Sequence, residues 1–194
     1  MASKPTFTFD DSVSEWNVPG KDWLHTHEKH WNGVASGAIV FDGDRILLVQ
    51  RSADDSMPNL WETPGGAVDS SDATILEGCA RELHEETGLT AERIVRRVTE
   101  GADGDEYTVF TNSRGTKVFC KFVFEVEVKD GDEVVLDPIE HQGWVWATED
   151  EVRKGRVGDI DGSEGIAIKL TTPHVTRMIM EAFRLRKEDA KKQT

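Results

Sequence analysis

The sequence predicts an α/β fold in which a mixed β-sheet lies between helices. Apolar runs of strand length occupy residues 34–41, 45–51 and 117–128. Segments with the apolar spacing of amphipathic helices occupy residues 74–87 and 173–188. Because strands and helices alternate along a chain of 194 residues, we expect one well-buried domain with extensions.

The first two strands are predicted to form a hairpin. Val34–Phe41 has the composition of a buried strand, and the turn signal Asp42-Gly43-Asp44 follows it. Arg45–Arg51, which contains four consecutive aliphatic residues, is the predicted partner strand. A glycine in such a turn adopts the positive φ angle that tight hairpins require.

The first long helix carries three acidic residues on one face. Thr74 and Glu77 have the spacing of a capping box at its start. Glu82, Glu85 and Glu86 fall within an arc of roughly 100°. Like charges at this spacing weaken a helix by a few tenths of a kcal/mol per pair. We infer that a divalent cation, most commonly Mg²⁺, offsets the repulsion; a solvated acidic face is the alternative.

Glycines border this helix on both sides. Pro64-Gly65-Gly66 lies upstream and predicts a sharp turn with backbone open to close approach. Gly88 stands where a left-handed residue usually ends a helix. Leu76, Ala80 and Leu83 share a face that we expect to pack on the sheet.

Further elements are predicted on both sides of a variable middle region. They are strands at Ile94–Thr99, Lys117–Val128 and Gly143–Ala147, a capping box at Thr148–Glu151 that opens a short helix, a loop at 155–165 and a helix from Pro173 to about Glu188. In the strand over 117–128, apolar residues alternate with Glu125 and Glu127 near its end. We therefore expect one face of this strand to be buried and the other to become polar.

Residues 1–32 are predicted to form an N-terminal extension that packs on a single domain over residues 33–190. Aromatic residues scattered among polar ones are expected to anchor the extension: Phe7, Phe9, Trp16, Trp23 and Trp31. Cys79 and Cys120 fall in apolar segments, so we expect two reduced core thiols rather than a disulfide bond.

Charge and hydropathy restrict the partners. The formal net charge is −14, which argues against binding to nucleic acid polymers or anionic membranes, because no basic stripe is available to displace counterions. No segment approaches the roughly 20 apolar residues of a membrane span. We expect a cytoplasmic protein, and its charge remains compatible with a small phosphorylated substrate that is carried in with a metal ion.

Residues 66–89 resemble the signature of the Nudix hydrolases. That signature is Gly, five residues, Glu, seven residues, Arg-Glu, an aliphatic residue, any residue, Glu-Glu, any residue, Gly and an aliphatic residue. Its second half matches at every fixed position: Arg81, Glu82, Leu83, Glu85, Glu86, Gly88 and Leu89. In the first half Asp72 stands in place of Glu, and eight residues separate it from Arg81. Asp72 is therefore either the counterpart of that glutamate or only a helix-start residue.

The resemblance implies a Nudix-type α/β/α sandwich and hydrolysis of a diphosphate linkage in a nucleoside diphosphate derivative or related polyphosphate. It implies Mg²⁺ as cofactor, with Mn²⁺ as a substitute. Glu82, Glu85 and Glu86 are the expected metal ligands, together with the carbonyl of Gly66. Arg81 is expected to orient a ligand carboxylate. Catalysis is assigned to Arg81, Glu82 and Glu85, with one of the glutamates acting as base.

Three further residues are candidates for the site. Glu140 precedes the Trp144 strand, where many Nudix proteins place an additional acidic residue, and is expected to be a further metal ligand or base; an exposed loop carboxylate is the alternative. Arg51 ends its strand facing this region and is expected to meet a substrate phosphate; a surface ion pair is the alternative. Tyr107 resembles a tyrosine of members that act on dinucleoside polyphosphates, and is either substrate-binding or a packing residue.

The Nudix fold is also compatible with two other functions, an isomerase and a nucleotide-sensing module. An isomerase of the isopentenyl diphosphate type shares the fold, but it needs a catalytic cysteine near Trp61–Pro64, where this chain has none. A non-catalytic Nudix module that senses nucleotides typically loses signature glutamates, whereas this chain keeps all three of the helix. Because Nudix proteins are often dimers, the resemblance also implies a homodimer.

Overall fold

The computed structural model describes residues 6–102, 104–158 and 165–192. Within the described residues, three β-sheets of five, four and two strands lie among four α-helices, so the predicted α/β fold with a mixed sheet is confirmed. The strands are β1 (Thr8–Phe9), β2 (Gly33–Ile39), β3 (Phe41–Asp42), β4 (Arg45–Arg51), β5 (Trp61–Glu62), β6 (Ala91–Val98), β7 (Thr108–Thr111), β8 (Val118–Val128), β9 (His141–Thr148), β10 (Arg156–Val157) and β11 (Ile166–Ala167). The helices are a 3₁₀-helix at Asp11–Trp16 and α1 (Gly20–Thr26), α2 (Ile75–Thr87), α3 (Glu149–Lys154) and α4 (Pro173–Lys192). The two-stranded sheet pairs β10 with β11 in the antiparallel direction.

The larger sheet is organised around β8. β2 runs parallel to β8, with Gly33 opposite Phe119 and Ile39 opposite Glu125. On the other edge of β8, β6 and β7 pair in the antiparallel direction, and β1 joins β6 in parallel. Parallel neighbours require a long connection, and here that connection contains β3, β4 and β5 of the four-stranded sheet, then α2, β6 and β7.

The four-stranded sheet is organised around β4. β9 pairs antiparallel with β4 along one edge, and β3 and β5 pair with the two ends of its other edge. Asp42 lies opposite Arg45, and Gly43 in the turn between them has a φ angle of +62°. The predicted hairpin is therefore confirmed, because glycine supplies the positive φ angle that the turn needs.

Hydrophobic clusters cover both faces of β8. Phe122 points into a cluster that includes α2, whereas Val123 belongs to a second cluster that includes α4. The second face carries the polar residues Glu125 and Glu127 near its end, as predicted, but Glu125 is only 4% exposed. Glu125 pairs with Arg96 at 2.9 Å and with Arg186 of α4 at 3.3 Å, because α4 covers this face.

The capping signals of α2 operate as predicted, with one difference. The Thr74 hydroxyl accepts a hydrogen bond from the Glu77 N–H at 3.0 Å. The Glu77 carboxylate reaches back to the N–H of Ala73, one residue before the partner expected for a capping box. Gly88 ends the helix at a φ angle of +72°, and its N–H donates to the His84 carbonyl. The predicted packing face is fully buried: Leu76, Ala80 and Leu83.

The two last helices also begin at their predicted signals. Thr148 and Glu151 form the capping box of α3, each side chain accepting a hydrogen bond from the other's backbone. α4 starts at Pro173 and extends to Lys192, beyond the predicted end at Glu188. Of the predicted loop over 155–165, residues 159–164 lie outside the described residues.

The N-terminal segment contributes to the first hydrophobic cluster. Trp16 and Trp23 are both buried, and their rings lie 5.8 Å and 4.7 Å from the ring of Phe122. The division into an extension and a domain stays a prediction, and this packing supports an extension that lies on the domain.

The two cysteines are buried and unbridged, as predicted. Cys79 lies in α2 and Cys120 in β8. Burial raises the pKa of both thiols to about 12. Among the described helices, none combines the length and the apolar character that a membrane span requires.

Candidate active site

The chain between β5 and α2 contains a turn at Pro64–Gly66, here called the glycine turn, which packs against β2. A Cβ atom on Gly65, whose φ angle is +144°, would lie 2.3 Å from the carbonyl oxygen of Ser36. The Ser36 N–H donates to the Gly66 carbonyl at 2.9 Å, which leaves that oxygen one further lone pair. A Cβ atom on Gly66 would lie 2.6 Å from the Glu82 carboxylate. The turn therefore accepts only glycine at position 65, and at position 66 the absence of a side chain lets Glu82 pack against the backbone.

Arg81 gathers three acidic side chains on one side of the turn. Its Nη1 donates to Glu82 at 2.9 Å and to Glu85 at 2.7 Å. Its Nε and Nη2 bind the two carboxylate oxygens of Asp72, each at 2.9 Å, and Nη2 also donates to the Ala67 carbonyl. These contacts fix the positions of two predicted metal ligands, whose roles stay predictions.

Glu86 joins the same turn to the segment before β9. Its carboxylate accepts a hydrogen bond from the Gly65 N–H at 2.7 Å. Its backbone carbonyl accepts one from Asp137 at 3.2 Å, and the Asp137 carbonyl accepts one from the His141 N–H at 2.9 Å. As a result, Glu86, Glu140 and His141 each offer one ligand atom within 4.8 Å of the other two.

Glu62 extends this group from the end of β5. Arg51 forms an ion pair with Glu62 and a second one with Asp55 at 2.6 Å. The Nε2 atom of His141 lies 3.9 Å from the Glu62 carboxylate. Arg51 therefore lies beside the acidic group, where its predicted phosphate contact stays a prediction, and its charge is shared by two carboxylates.

Burial raises the pKa of two signature glutamates above its ordinary range. For Glu86, burial outweighs the opposing charge of His141 and the hydrogen bond from Gly65. For Glu82, burial outweighs the attraction of the Arg81 guanidinium. Both carboxyl groups therefore hold protons more firmly than in water, since burial disfavours their charged forms.

His141 and Glu62 behave as an ion pair. Burial acts to lower the pKa of His141, but the nearby carboxylates of Glu62 and Glu86 outweigh it and raise the pKa above its ordinary value. Burial acts to raise the pKa of Glu62, but His141, Lys121 and Arg51 outweigh it and lower the pKa. The charged forms of both side chains are stabilised by each other.

The donor set fits a hard divalent cation. The predicted ligands offer carboxylate oxygens from Glu82, Glu85, Glu86 and Glu140 and a carbonyl oxygen from Gly66, and Mg²⁺ prefers oxygen ligands. Burial disfavours the charged forms of Glu82 and Glu86 and raises their pKa values, although positive side chains lie nearby. A bound cation would stabilise those charged forms.

Tyr107 lies in an aromatic cluster rather than among the acidic residues. Its ring packs edge-on against Trp23, Trp31 and Phe122, with centroids 6.2, 5.5 and 5.6 Å away. This geometry agrees with the packing alternative. The predicted substrate contact gains no support from it.

Sequence reasoning missed three residues of the site. Glu62 lies just before the glycine turn, and His141 directly follows Glu140. Their nearness in sequence to these predicted site features was the signal that could have identified them. Lys121 is a single cation within an apolar strand, and its charge lowers the pKa of both Glu62 and Glu86. Its place at the site depends on the pairing of β8 with β2, which no local pattern reveals.

A second titratable group lies away from the glycine turn. Glu100, Asp105 and His174 bring ligand atoms within 4.8 Å of one another. The two Glu100 oxygens, however, already bind His174 Nδ1 and Arg177 Nε, each at 2.6 Å. Because these contacts neutralise the buried carboxylate, the group is an ion-pair network that joins α4 to the chain after β6.

Comparisons with known proteins identify the family. The NUDIX domain profile matches residues 31–163. An RNA pyrophosphohydrolase of Rhizobium meliloti (strain 1021) is 30% identical over an alignment of 122 positions, which covers 56% of this chain and 70% of that protein.

Solved structures show the same fold. The MutT protein from Methanosarcina mazei Go1 has 25% sequence identity and a TM-score of 0.53, covering 80% of this chain and 94% of that chain. The MutT NUDIX hydrolase from Burkholderia pseudomallei has 19% identity and a TM-score of 0.54, covering 76% of this chain and 95% of that chain.

These relatives favour neither the isomerase nor the sensing module considered above. The matched profile includes the signature helix, and the relative that is 30% identical is named a pyrophosphohydrolase. The chain belongs to the Nudix family and is a divalent-metal-dependent Nudix hydrolase that cleaves a diphosphate linkage.

Proposed function

We propose that Mg²⁺ is the working ion and that Glu82, Glu85, Glu86 and Glu140 hold it together with the carbonyl of Gly66. The observation that carries this proposal is the convergence of α2 on the glycine turn. The Gly65 N–H binds Glu86, and Glu82 packs against the adjacent glycine. Glu82 and Glu86 thus lie against a stretch of backbone that carries no side chains and includes the Gly66 carbonyl.

The residues around the metal position it and move a proton. Arg81 holds Glu82 and Glu85 through one terminal nitrogen, so the two carboxylates keep a fixed separation. When bound, the metal neutralises phosphate charge and lowers the pKa of a bound water. One glutamate accepts the proton of the attacking water as the new P–O bond forms and the diphosphate P–O bond breaks.

The substrate is proposed to be a small nucleoside diphosphate derivative or related polyphosphate. The chain has a net charge of −14, so an anionic substrate gains attraction chiefly from the metal. Arg51 and His141 lie at the acidic group, but each is paired with carboxylates. A long polyanion would meet repulsion away from the metal, which favours a small molecule over a nucleic acid polymer.

A substrate panel with Mg²⁺ or Mn²⁺ tests both parts. It contains nucleoside triphosphates, dinucleoside polyphosphates, nucleotide sugars, inositol pyrophosphates and an RNA with a terminal polyphosphate, because one relative is named an RNA pyrophosphohydrolase. We expect metal-dependent release of phosphate or nucleoside monophosphate from a small substrate. Preference for the RNA would contradict the size argument.

Variants of the helix glutamates test the ligand set. We expect Glu85→Gln and Glu86→Gln each to lose most Mg²⁺-dependent turnover while circular dichroism shows an intact fold. Glu92→Gln is the matched control, since Glu92 is an exposed glutamate of β6. Near-wild-type turnover in both helix variants would contradict the assignment.

Assembly and location are proposed on separate grounds. We propose a homodimer, which the exposed side chains of Val109 and Phe110 on β7 support, and sedimentation velocity measures it directly.

We propose a cytoplasmic location because two buried, unbridged thiols suit a reducing compartment, and cell fractionation tests it.

A further inference from the structure

Lys121 crosses from the larger sheet toward the glycine turn. It lies in β8 opposite Ala35 of the parallel strand β2. A Cβ atom on Gly37, the next residue of β2 on that face, would lie 2.8 Å from Lys121 Cε and 3.4 Å from Nζ. The same position is 3.4 Å from the Pro64 carbonyl oxygen. Because Gly37 has no side chain, the Lys121 side chain can extend over it toward the turn.

The ammonium group of Lys121 acts on the buried acids of the site. Its charge lowers the pKa of Glu62 and of Glu86. These two residues are only 8% and 5% exposed, so solvent screens the interaction weakly. The contacts of Gly37 place this ammonium group beside the turn that binds Glu86. A Cβ atom on Gly65 would lie 2.5 Å from Gly37 Cα, and the Gly65 N–H donates to the Glu86 carboxylate at 2.7 Å.

The other positive charges near these two acids are already shared. Arg51 divides its contacts between Glu62 and Asp55. His141 lies between Glu62 and the Glu86–Glu140 pair. On the other side of the turn, Arg81 binds Asp72, Glu82 and Glu85. Lys121 therefore adds the charge that these groups do not supply on the β2 side.

We propose that Lys121 is an internal counter-cation of the metal site, stabilising the folded protein when the metal is absent and opposing the metal when it binds. This inference rests on the proposed function, because it takes Glu86 as a metal ligand. It makes Lys121 a positioning residue that acts through Glu62 and Glu86.

Two opposite consequences follow from removing the charge. Without metal, Glu62 and Glu86 lose a neutralising partner, so the melting temperature should fall. With metal, the repulsion between an ammonium group and a divalent cation disappears, so binding should become tighter. A residue with only a packing role would lower stability without tightening metal binding.

The experiment compares wild type, Lys121→Met and Lys117→Met. Methionine preserves the length of the side chain over Gly37, and Lys117 is an exposed lysine just before β8. Calorimetric titration with Mg²⁺ measures affinity, and thermal unfolding in EDTA and in saturating Mg²⁺ measures stability. We expect Lys121→Met to bind Mg²⁺ about fivefold more tightly or better. Its Tm in EDTA should fall by about 3 °C, with recovery in Mg²⁺. Lys117→Met should match wild type in both measurements.

Each outcome decides the inference. Unchanged or weaker Mg²⁺ affinity in a folded Lys121→Met protein overturns it. Folding of Lys121→Met only in Mg²⁺ supports it, since the metal then supplies the missing charge. Failure of both Lys121→Met and Lys121→Gln to fold in saturating Mg²⁺ overturns it. Absence of Mg²⁺ binding by wild type itself would instead refute the proposed function.

Discussion

Arg81 grips both carboxylate oxygens of Asp72, through Nε and Nη2 at 2.9 Å each. Asp72 also accepts a hydrogen bond from the Asp69 N–H at 2.7 Å and is only 8% exposed. It therefore does more than start the helix. The extra residue between Asp72 and Arg81 is accommodated because α2 begins only at Ile75, and the shorter acid still reaches the arginine.

Loss of this ion pair should loosen the metal site. In Asp72→Asn the amide presents a single acceptor oxygen to Arg81, so the guanidinium no longer holds Glu82 and Glu85 in place. We expect Mg²⁺ affinity or turnover to fall about tenfold, as for other residues that support metal ligands. Isothermal titration and steady-state kinetics measure the two effects.

The control for that variant is Asp69→Asn, since Asp69 is an exposed acid in the same turn and contributes its backbone N–H. It should retain wild-type kinetics. Equal losses of Mg²⁺ affinity or turnover in both variants would show that total charge, rather than the ion pair with Arg81, determines these quantities.

Gly66→Ala should reduce activity with little change of fold. The added methyl group would lie 2.6 Å from Glu82 Oε2 and 2.7 Å from its Cδ, so the carboxylate must move. A displacement near 1 Å typically costs about 100-fold in rate. Turnover at saturating Mg²⁺, with circular dichroism as a check on folding, measures it. Gly20→Ala is the control, because its methyl group would meet Val34 at 3.5 Å, an ordinary contact.

The Glu100 network should contribute stability that depends on pH. Arg177 and His174 outweigh burial and hold the pKa of Glu100 below its ordinary value. The contribution is therefore present above the unfolded pKa near 4.3 and is lost as pH falls through the lower folded value. We expect Glu100→Gln to lose about 2 kcal/mol at pH 7, measured by urea unfolding.

The difference between wild type and Glu100→Gln should shrink below about pH 4, where the wild-type carboxylate takes up its proton. Glu106→Gln, a change at an exposed glutamate of the same loop, should have little effect. A constant difference from pH 7 to pH 3 would indicate that packing, not charge, makes Glu100 important.

Both thiols should be unreactive in the folded protein. Burial raises the pKa of Cys79 and Cys120 to about 12, so almost no thiolate exists at pH 8. A thiol-reactive dye should label neither cysteine in native buffer and both in denaturant. Rapid labelling of native protein would mean that α2 or β8 opens readily.

Local signals predicted the elements well because they act within a few residues. The bounds of β4 agree with the predicted strand, and Thr74 and Gly88 cap α2 as expected. The signature also predicted that Glu85 lies near Arg81 and Glu82, because residues three and four apart share a helix face.

Long-range pairing set the limits of prediction. The alternation in β8 places Glu125 on a polar face, but it does not reveal that α4 covers this residue. Lys121 reaches the site only because β8 lies parallel to β2, and Glu62 and His141 meet because β5 and β9 flank β4. None of these contacts leaves a periodic pattern in the sequence, since each joins segments far apart in the chain.

The packing of Trp16 and Trp23 on Phe122 has a practical consequence for protein production. A fragment trimmed to the segment that homology detects, residues 31–163, would discard both indole rings and all of α4. The aromatic surface that this deletion exposes promotes aggregation, so such a fragment should accumulate in inclusion bodies. Expression vectors for crystallisation or inhibitor screening should therefore begin upstream of the 3₁₀-helix at Asp11 and continue through Lys192.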